Sequence, residues 1–112
     1  MIVGTYVRHC EKVSSTNTVA AAILRDETPA EGTVITASYQ DSGRGQQGNR
    51  WESEPGKNLL MSVILYPVMV SPADQFIISR MVSLAVHDMV ARHSEAARIK
   101  WPNDIYVGDD KI

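Results

Sequence analysis

The sequence predicts an α+β fold, in which a mixed β-sheet has helices packed mainly on one face. Three observations indicate this class. Strand-length runs with alternating or continuous apolar residues recur along the 112 residues. Two segments carry helix-capping signals and helical spacing of apolar residues. The last two strand-length runs are separated by a short turn, which is typical of strands that pair side by side.

The first elements are a strand, a helix and a second strand. Alternation over Tyr6–Cys10 predicts a short strand. Serine and threonine ahead of an alanine-rich run predict a helix that begins near Thr16 and continues to Arg25, because such side chains cap helix N-termini. The alternation over 33–39 predicts a half-buried strand, with Ile35 on the buried face.

A long loop and an apolar strand follow. Residues 40–57 contain four glycines and one proline, which predicts a loop, and structureless loops of this length are uncommon unless they are functional or disordered. Residues 59–65 are apolar on both faces of the predicted strand and are interrupted only by Ser62. We expect this strand to be central in its sheet, because strands covered on both faces read as continuous apolar runs.

A second helix is predicted from Ser71 to about His93. Serine, proline and an acidic residue occupy its start, in the order that favours a helix N-terminus. Its predicted buried stripe consists of Ile77, Ile78, Met81, Ala85 and Met89, with Arg80, Ser83 and His87 on the other side.

The last elements are predicted as strands over 98–101 and 105–107, followed by a hairpin turn at 108–110. Lys111 and Ile112 resemble the start of a returning strand. Since the preceding strand would keep an unpaired edge, we expect the chain to be truncated at this point.

Composition excludes several classes of protein. A chain of 112 residues fits one domain, and a single cysteine cannot form an internal disulfide, which is typical of a reducing compartment. A formal charge of −2 argues against charge-driven binding to nucleic acid or to an anionic membrane. No signal peptide or membrane span is evident, so we expect a cytoplasmic protein.

A glycine-rich segment is the first candidate site. Residues 43–48 match the pattern G-x-G-x-x-G, but no helix follows as a dinucleotide-binding site requires. Two alternatives remain: a loop without a role, or glycines that let the backbone approach a ligand. In the second case, Arg44 and Arg50 supply positive charge and Trp51 an apolar face, although Trp51 also fits a plain core position.

The second candidate is the lysine in the stretch 100–104, Lys-Trp-Pro-Asn-Asp. At the end of a central strand, opposite in direction to Ile99 and Trp101, Lys100 could contact a phosphate or a carboxylate. The alternative is a solvated lysine on an edge strand.

Together these stretches resemble the biotin protein ligases. The resemblance is carried by Ser15-Thr16-Asn17, by Gln40 with the glycine segment ending at Trp51, and by residues 100–104, in the order and at the separations of that family. It extends from about Val7 to Ile112. It implies that residues 1–112 are part of a biotin/lipoate ligase-like catalytic domain, truncated at the C-terminus.

The resemblance also implies an activity. Biotin and ATP, with Mg²⁺, would form biotinyl-5′-AMP, and a lysine of a biotin carboxyl carrier domain, as in acetyl-CoA carboxylase, would then receive the biotin. The implied biotin-binding residues are Ser15, Thr16, Asn17, Gln40, Gly43, Arg44, Gly45, Gln46 and Lys100. The implied adenylate-binding residues are Gly45, Gln46, Arg50, Trp51 and Lys100, and the implied catalytic residues are Lys100 and Arg44. No metal ligands are implied.

Departures from the family pattern are also visible. Gln46, Gln47 and Asn49 stand where the family often has arginine, which weakens the local field for anions. Since no DNA-binding segment precedes the domain, we expect no DNA partner, and a homodimer stays open. Two other functions also stay open: a truncated, non-catalytic biotin-binding protein, and a lipoate or octanoate ligase of the same fold.

Overall fold

The computed structural model describes residues 2–44, 50–51 and 54–112. The chain divides into two compact units, Met1–Tyr66 and Pro67–Ile112. The first contains strands β1 (Val7–Val13), β2 (Val34–Gln40), β3 (Gly43–Arg44), β4 (Arg50–Trp51) and β5 (Leu60–Val63), and helix α1 (Thr16–Asp26). The second contains helix α2 (Phe76–Ala91) and strands β6 (Ala97–Lys100), β7 (Asp104–Val107) and β8 (Asp110–Lys111).

The main sheet of the first unit is mixed, as predicted. Its order is β1-β2-β5, with β1 parallel to β2 and β2 antiparallel to β5. Helix α1 packs against β2 and β5. Its Ala20 forms a small core with Ile35 and Ile64, and Ile35 is fully buried. This packing of one helix on a mixed sheet confirms the α+β class.

The prediction that the strand over 59–65 is central was wrong for the described part of the sheet. β5 lies at an edge and β2 is central. Leu60, Ser62 and Ile64 face the core, whereas Leu59 and Met61 on the other face are exposed. The apolar run therefore reflects one buried face and one face that the described residues leave exposed or half-buried.

The described ends of the glycine-rich segment form strands rather than a structureless loop. β3 and β4 pair in antiparallel fashion, with Gly43 opposite Trp51 and Arg44 opposite Arg50. Residues 45–49, which connect the two strands in the sequence, lie outside the described residues. The predicted long loop is therefore partly a short two-stranded ribbon.

In the second unit, β6, β7 and β8 form an antiparallel sheet in that order. A 3₁₀ turn at Pro72–Asp74 precedes α2, so the predicted start signal is followed by one tight turn before the α-helix. The strand predicted over 98–101 begins and ends one residue earlier. Trp101 consequently lies in the turn and is half exposed.

The predicted buried stripe of α2 was wrong at several positions. Ser83 is buried, and its hydroxyl donates to the main-chain oxygen of Pro102 at 2.8 Å. The His87 ring lies 3.0 Å from the carbonyl oxygen of Ala97. Met81 and Met89 are instead 64% and 55% exposed. The strands approach the helix on its face of small and polar residues, where hydrogen bonds to the main chain are available, and this kind of contact leaves no signal in an apolar periodicity.

Candidate functional site

Two of the predicted motifs meet at one edge of the main sheet. β1 and β2 are parallel, so their carboxyl ends lie side by side. β1 leads into the turn at Ser14 and then into α1, whereas β2 leads into Gln40 and the glycine segment. Main-chain hydrogen bonds continue the pairing beyond the strands, from the Asp41 N–H to the Val13 oxygen and from the Ser42 N–H to the Ser14 oxygen. The topology thus brings Ser15-Thr16-Asn17 next to Gln40.

Ser15 and Gln40 tie these two segments to the start of α1. Ser15 is the N-cap, and its buried hydroxyl accepts a hydrogen bond from the Thr18 N–H at 3.0 Å. The helix begins at Thr16, where the capping signals predicted its start. The Thr16 N–H donates to Gln40 Oε1 at 3.3 Å. Because the first N–H groups of a helix have no partner within the helix, Gln40 satisfies one of them from the neighbouring strand.

A buried hydroxyl on β5 completes the cluster. Thr16 Oγ1 and Ser62 Oγ are 2.7 Å apart, and Ser62 donates to Asn17 Oδ1 at 2.5 Å. Thr16 and Ser62 are buried, with 5% and 9% of their surface exposed, whereas Asn17 is exposed. Ser62 therefore connects two adjacent residues of the predicted site.

These side chains line a cavity of about 610 Å³ within the first unit. Its polar lining is contributed by Ser15, Thr16, Asn17, Thr18, Arg25, Gln40 and Ser62, and its apolar lining by Ala21, Ala22, Leu59, Leu60 and Met61. Such a cavity suits a small molecule with a hydrogen-bonding head and an apolar body, because apolar walls supply burial and a few polar groups fix orientation.

The remaining predicted residues of the first unit belong to the glycine segment. Gly43 is buried at the start of β3 and Arg44 follows it. Arg50 and Trp51 form β4. Gly45 and Gln46 lie outside the described residues, as do the substituted positions Gln47 and Asn49. The backbone thus leads from Gln40, which lines the cavity, through residues 41 and 42 to Gly43 and Arg44 of β3.

Lys100 belongs to the second unit, as the last residue of β6. Its side chain is exposed, and Nζ lies 5.9 Å from the centre of the Tyr106 ring. Ile99 is half-buried, so the two side chains alternate as predicted, but β6 is at an edge of the described sheet rather than central. The neighbouring carboxylate of Asp104 is 3.1 Å from Lys111 Nζ. Across residues 2–44, 50–51 and 54–112, no carboxylate forms an ion pair with Lys100.

Sequence reasoning missed Ser62 and Arg25 as lining residues. A signal for Ser62 was present, since its hydroxyl is the only polar side chain among the seven residues 59–65. Arg25 had no comparable signal, because a basic residue in the last turn of a helix is common for electrostatic reasons alone. Among the described residues, no group of three or more His, Cys, Asp or Glu could hold a metal ion. No described helix has both the length and the apolar character that crossing a membrane requires.

The structure defines an α+β protein with a cavity that combines polar and apolar walls, and comparison with known proteins identifies its family. The model of the biotin/lipoate A/B protein ligase family matches residues 10–112. The chain therefore belongs to this family of ligases, and the resemblance seen in its sequence is confirmed.

Individual relatives agree with this assignment. The bifunctional ligase/repressor BirA of Bacillus spizizenii is 31% identical over 111 residues, which are 98% of this chain and 34% of that protein. The biotin protein ligase from Aquifex aeolicus in complex with biotin and ATP superposes with a TM-score of 0.75 at 28% identity, over 96% of this chain and 44% of that one.

A third similar structure is the biotin acetyl coenzyme A carboxylase synthetase from Helicobacter pylori with bound biotinylated ATP. Its TM-score is 0.70 at 29% identity, over 96% of this chain and 51% of that one. The chain thus spans about a third of the curated relative and about half of the solved structures.

Proposed function

We propose that this chain binds biotin and takes part in its ATP-dependent attachment to a carrier protein. The observation that carries the proposal is the cavity at the carboxyl edge of β1 and β2, where Ser15, Thr16, Asn17 and Gln40 form a polar end next to an apolar wall. Biotin has matching parts, since its ureido group has N–H and C=O groups and its remaining surface is largely apolar. The Aquifex aeolicus relative is described with biotin and ATP bound.

The proposed reaction has two steps. A carboxylate oxygen of biotin attacks the α-phosphorus of ATP, forming an O–P bond while the bond to pyrophosphate breaks. The amine of a carrier lysine then attacks the acyl carbon of biotinyl-5′-AMP, so that an amide forms and AMP leaves. Two anions approach one another in the first step, so fixed cations lower its barrier.

We assign those cations to Arg44 and Lys100. Arg44 follows Gly43 directly in β3, and Lys100 has an exposed ammonium with no carboxylate partner among the described residues. In this proposal Gly43, Gly45 and Gln46 close over biotin and the adenylate, while Arg50 and Trp51 contact the adenylate. Excluding water in this way protects a reactive mixed anhydride from hydrolysis.

Mg²⁺ would enter with ATP, since it prefers phosphate oxygens and keeps several waters. We assign it no protein ligands. The carrier would be a biotin carboxyl carrier domain, for which the name of the Helicobacter pylori relative, an acetyl coenzyme A carboxylase synthetase, is the support. We further propose that residues 1–112 belong to one catalytic domain and act in the cytoplasm.

Calorimetric titration tests the proposal. Biotin should bind the chain, and ATP with Mg²⁺ should then release pyrophosphate and consume biotin. Biotin binding without pyrophosphate release would support a non-catalytic biotin-binding protein instead. Heat on titration with lipoate but not with biotin would support the lipoate ligase alternative and contradict the proposal.

The role of Lys100 is tested by Lys100→Ala in a protein that releases pyrophosphate. We expect pyrophosphate release to fall by at least a hundredfold, because one fixed charge aimed at the reacting groups contributes on the order of 10²–10³ in rate, while biotin affinity changes much less. The matched control is Arg98→Ala. Arg98 is likewise exposed on β6 and lies 5.7 Å from the Tyr106 ring. Pyrophosphate release at the wild-type rate by Lys100→Ala would contradict the assignment.

A further inference from the structure

Ser62 lines the cavity but has no role in the proposed reaction. It is the one polar residue in the run 59–65, yet it is buried on β5 and directed at α1 rather than at a main-chain group of its own sheet. Its hydroxyl lies between Thr16 Oγ1 at 2.7 Å and Asn17 Oδ1 at 2.5 Å. Since an isolated buried hydroxyl is costly, this position in an apolar strand calls for a reason.

The protons that Thr16, Asn17 and Ser62 carry determine which side chain donates and which accepts in each of their hydrogen bonds. A serine hydroxyl has one proton, and Asn17 Oδ1 can only accept, so Ser62 donates that proton to Asn17. Ser62 Oγ must then accept from Thr16, so the Thr16 hydroxyl proton points at Ser62 and cannot be donated to a ligand. Thr16 Oγ1 keeps lone pairs for a ligand, and the amide nitrogen of Asn17 keeps both of its protons.

Gln40, like Asn17, uses its amide oxygen within the protein and leaves its amide nitrogen for a ligand. Its Oε1 accepts from the Thr16 N–H at 3.3 Å, which leaves the Nε2 protons available. Thr16, Asn17 and Gln40 thus present one hydroxyl oxygen that accepts and two amide groups that donate. A cyclic urea has the complementary set, with N–H groups that donate and a carbonyl oxygen that accepts.

We propose that Ser62 is a positioning residue that sets the hydrogen-bond polarity of the cavity. Ser62 holds the Thr16 hydroxyl as an acceptor and the Asn17 amide as a donor. The cavity therefore favours a ligand whose head is a neutral cyclic urea over one that carries hydrogen-bond donors in place of the urea oxygen. The inference rests on the proposed function, because it names what the biotin-binding end of the site distinguishes.

Two ligands that differ at that position test the proposal. In 2-iminobiotin the ureido oxygen is replaced by nitrogen, and the protonated form presents only donors there. Wild type should bind biotin far more tightly than protonated 2-iminobiotin, because the amide donors of the cavity would face donors of the ligand and stay unpaired. In Ser62→Ala, Asn17 is free to turn its oxygen toward the ligand. We expect the ratio of the two dissociation constants to fall by about tenfold or more, an energy difference within the range of such hydrogen bonds.

Two further variants separate positioning from general stability. Ser62→Thr keeps the hydroxyl and should restore most of the ratio. Thr33→Val removes another buried hydroxyl of the first unit, which donates to the Ala30 oxygen at 2.7 Å and does not line the cavity, so it should leave the ratio unchanged. Equal weakening of both ligands in Ser62→Ala would show a merely structural role and overturn the proposal.

A wild-type protein that binds neither ligand would overturn the proposed function but not decide the polarity. Amide exchange in the ligand-free protein then decides it. With Asn17 Oδ1 facing Ser62, the Asn17 side-chain NH₂ protons face the open cavity and should exchange rapidly with water. Protection of one of these protons, lost in Ser62→Ala, would mean that nitrogen faces Ser62 and would overturn the polarity that we propose.

Discussion

Arg8 and Glu27 form a two-point ion pair that joins β1 to the end of α1. Nη1 and Nη2 of Arg8 each donate to a different carboxylate oxygen of Glu27 at 3.0 Å. The hydrogen bonds from Arg8, and secondly its charge, hold the pKa of Glu27 below its ordinary value of 4.5, and the same contacts raise the pKa of Arg8. Both side chains are about half exposed, so the contribution to stability is small.

The sign of the pH dependence follows from the lowered pKa. Glu27 has a lower pKa in the folded than in the unfolded chain, so its pair with Arg8 stabilises the fold above pH 4.5. That contribution is lost as the pH falls through the lowered pKa. We expect Glu27→Gln to lower the urea midpoint at about pH 7 and to have less effect at about pH 3. Adding Arg8→Ala to Glu27→Gln should change little more; an equal effect of Glu27→Gln at both pH values would contradict this account.

The predictability of single residues depended on the range of their interactions. The cap at Ser15 was predictable, because it needs only a hydroxyl three residues before Thr18. The role of Ser62 was not predictable, since it is set by contacts with Asn17 and Thr16, which lie 45 and 46 positions earlier in the chain. Nothing in the local sequence says which strand comes to lie beside the helix start.

At the scale of elements, the positions of strands and helices along the chain were predicted better than the order of the strands in the sheet. The half-buried strand over 33–39 is observed at Val34–Gln40, and Ile35 is fully buried as expected. Its central place in the sheet was not predicted, because β2 has polar residues at alternate positions whereas β5 reads as a continuous apolar run. Pairing with β1 on one side and β5 on the other is a long-range property that periodicity does not contain.

Helix α1 offers a test of how much its first turn depends on the cap. Ser15→Ala removes the hydroxyl that accepts from the Thr18 N–H, leaving that group without its partner. We expect the free energy of unfolding to fall by about 1 kcal/mol, measured by urea denaturation. Ser14→Ala is the control, because Ser14 is exposed and its main-chain oxygen alone makes the contact with Ser42. An equal loss in both variants would contradict the cap.

At the scale of the whole molecule, the motifs were more informative than composition. Length and charge indicated one domain without a broad nucleic-acid surface, whereas three short stretches in the right order indicated the family, and the match over residues 10–112 confirmed it. The division at Tyr66–Pro67 has no signal of its own, since no glycine- or serine-rich linker marks it. The sequence at this boundary is that of an ordinary strand-to-helix connection.

Binding of biotin should raise the stability of the folded chain against unfolding. A ligand that binds only the folded state adds about 2.7 kcal/mol at a concentration one hundred times its dissociation constant. For a chain of this size, that corresponds to a rise of roughly 10 °C in the unfolding midpoint. Circular dichroism on heating would measure it, with hexanoate as the control, because hexanoate has the carboxylate and alkyl chain without the ureido ring. A midpoint that hexanoate raises as much as biotin does would show that the polar end of the cavity contributes nothing to recognition.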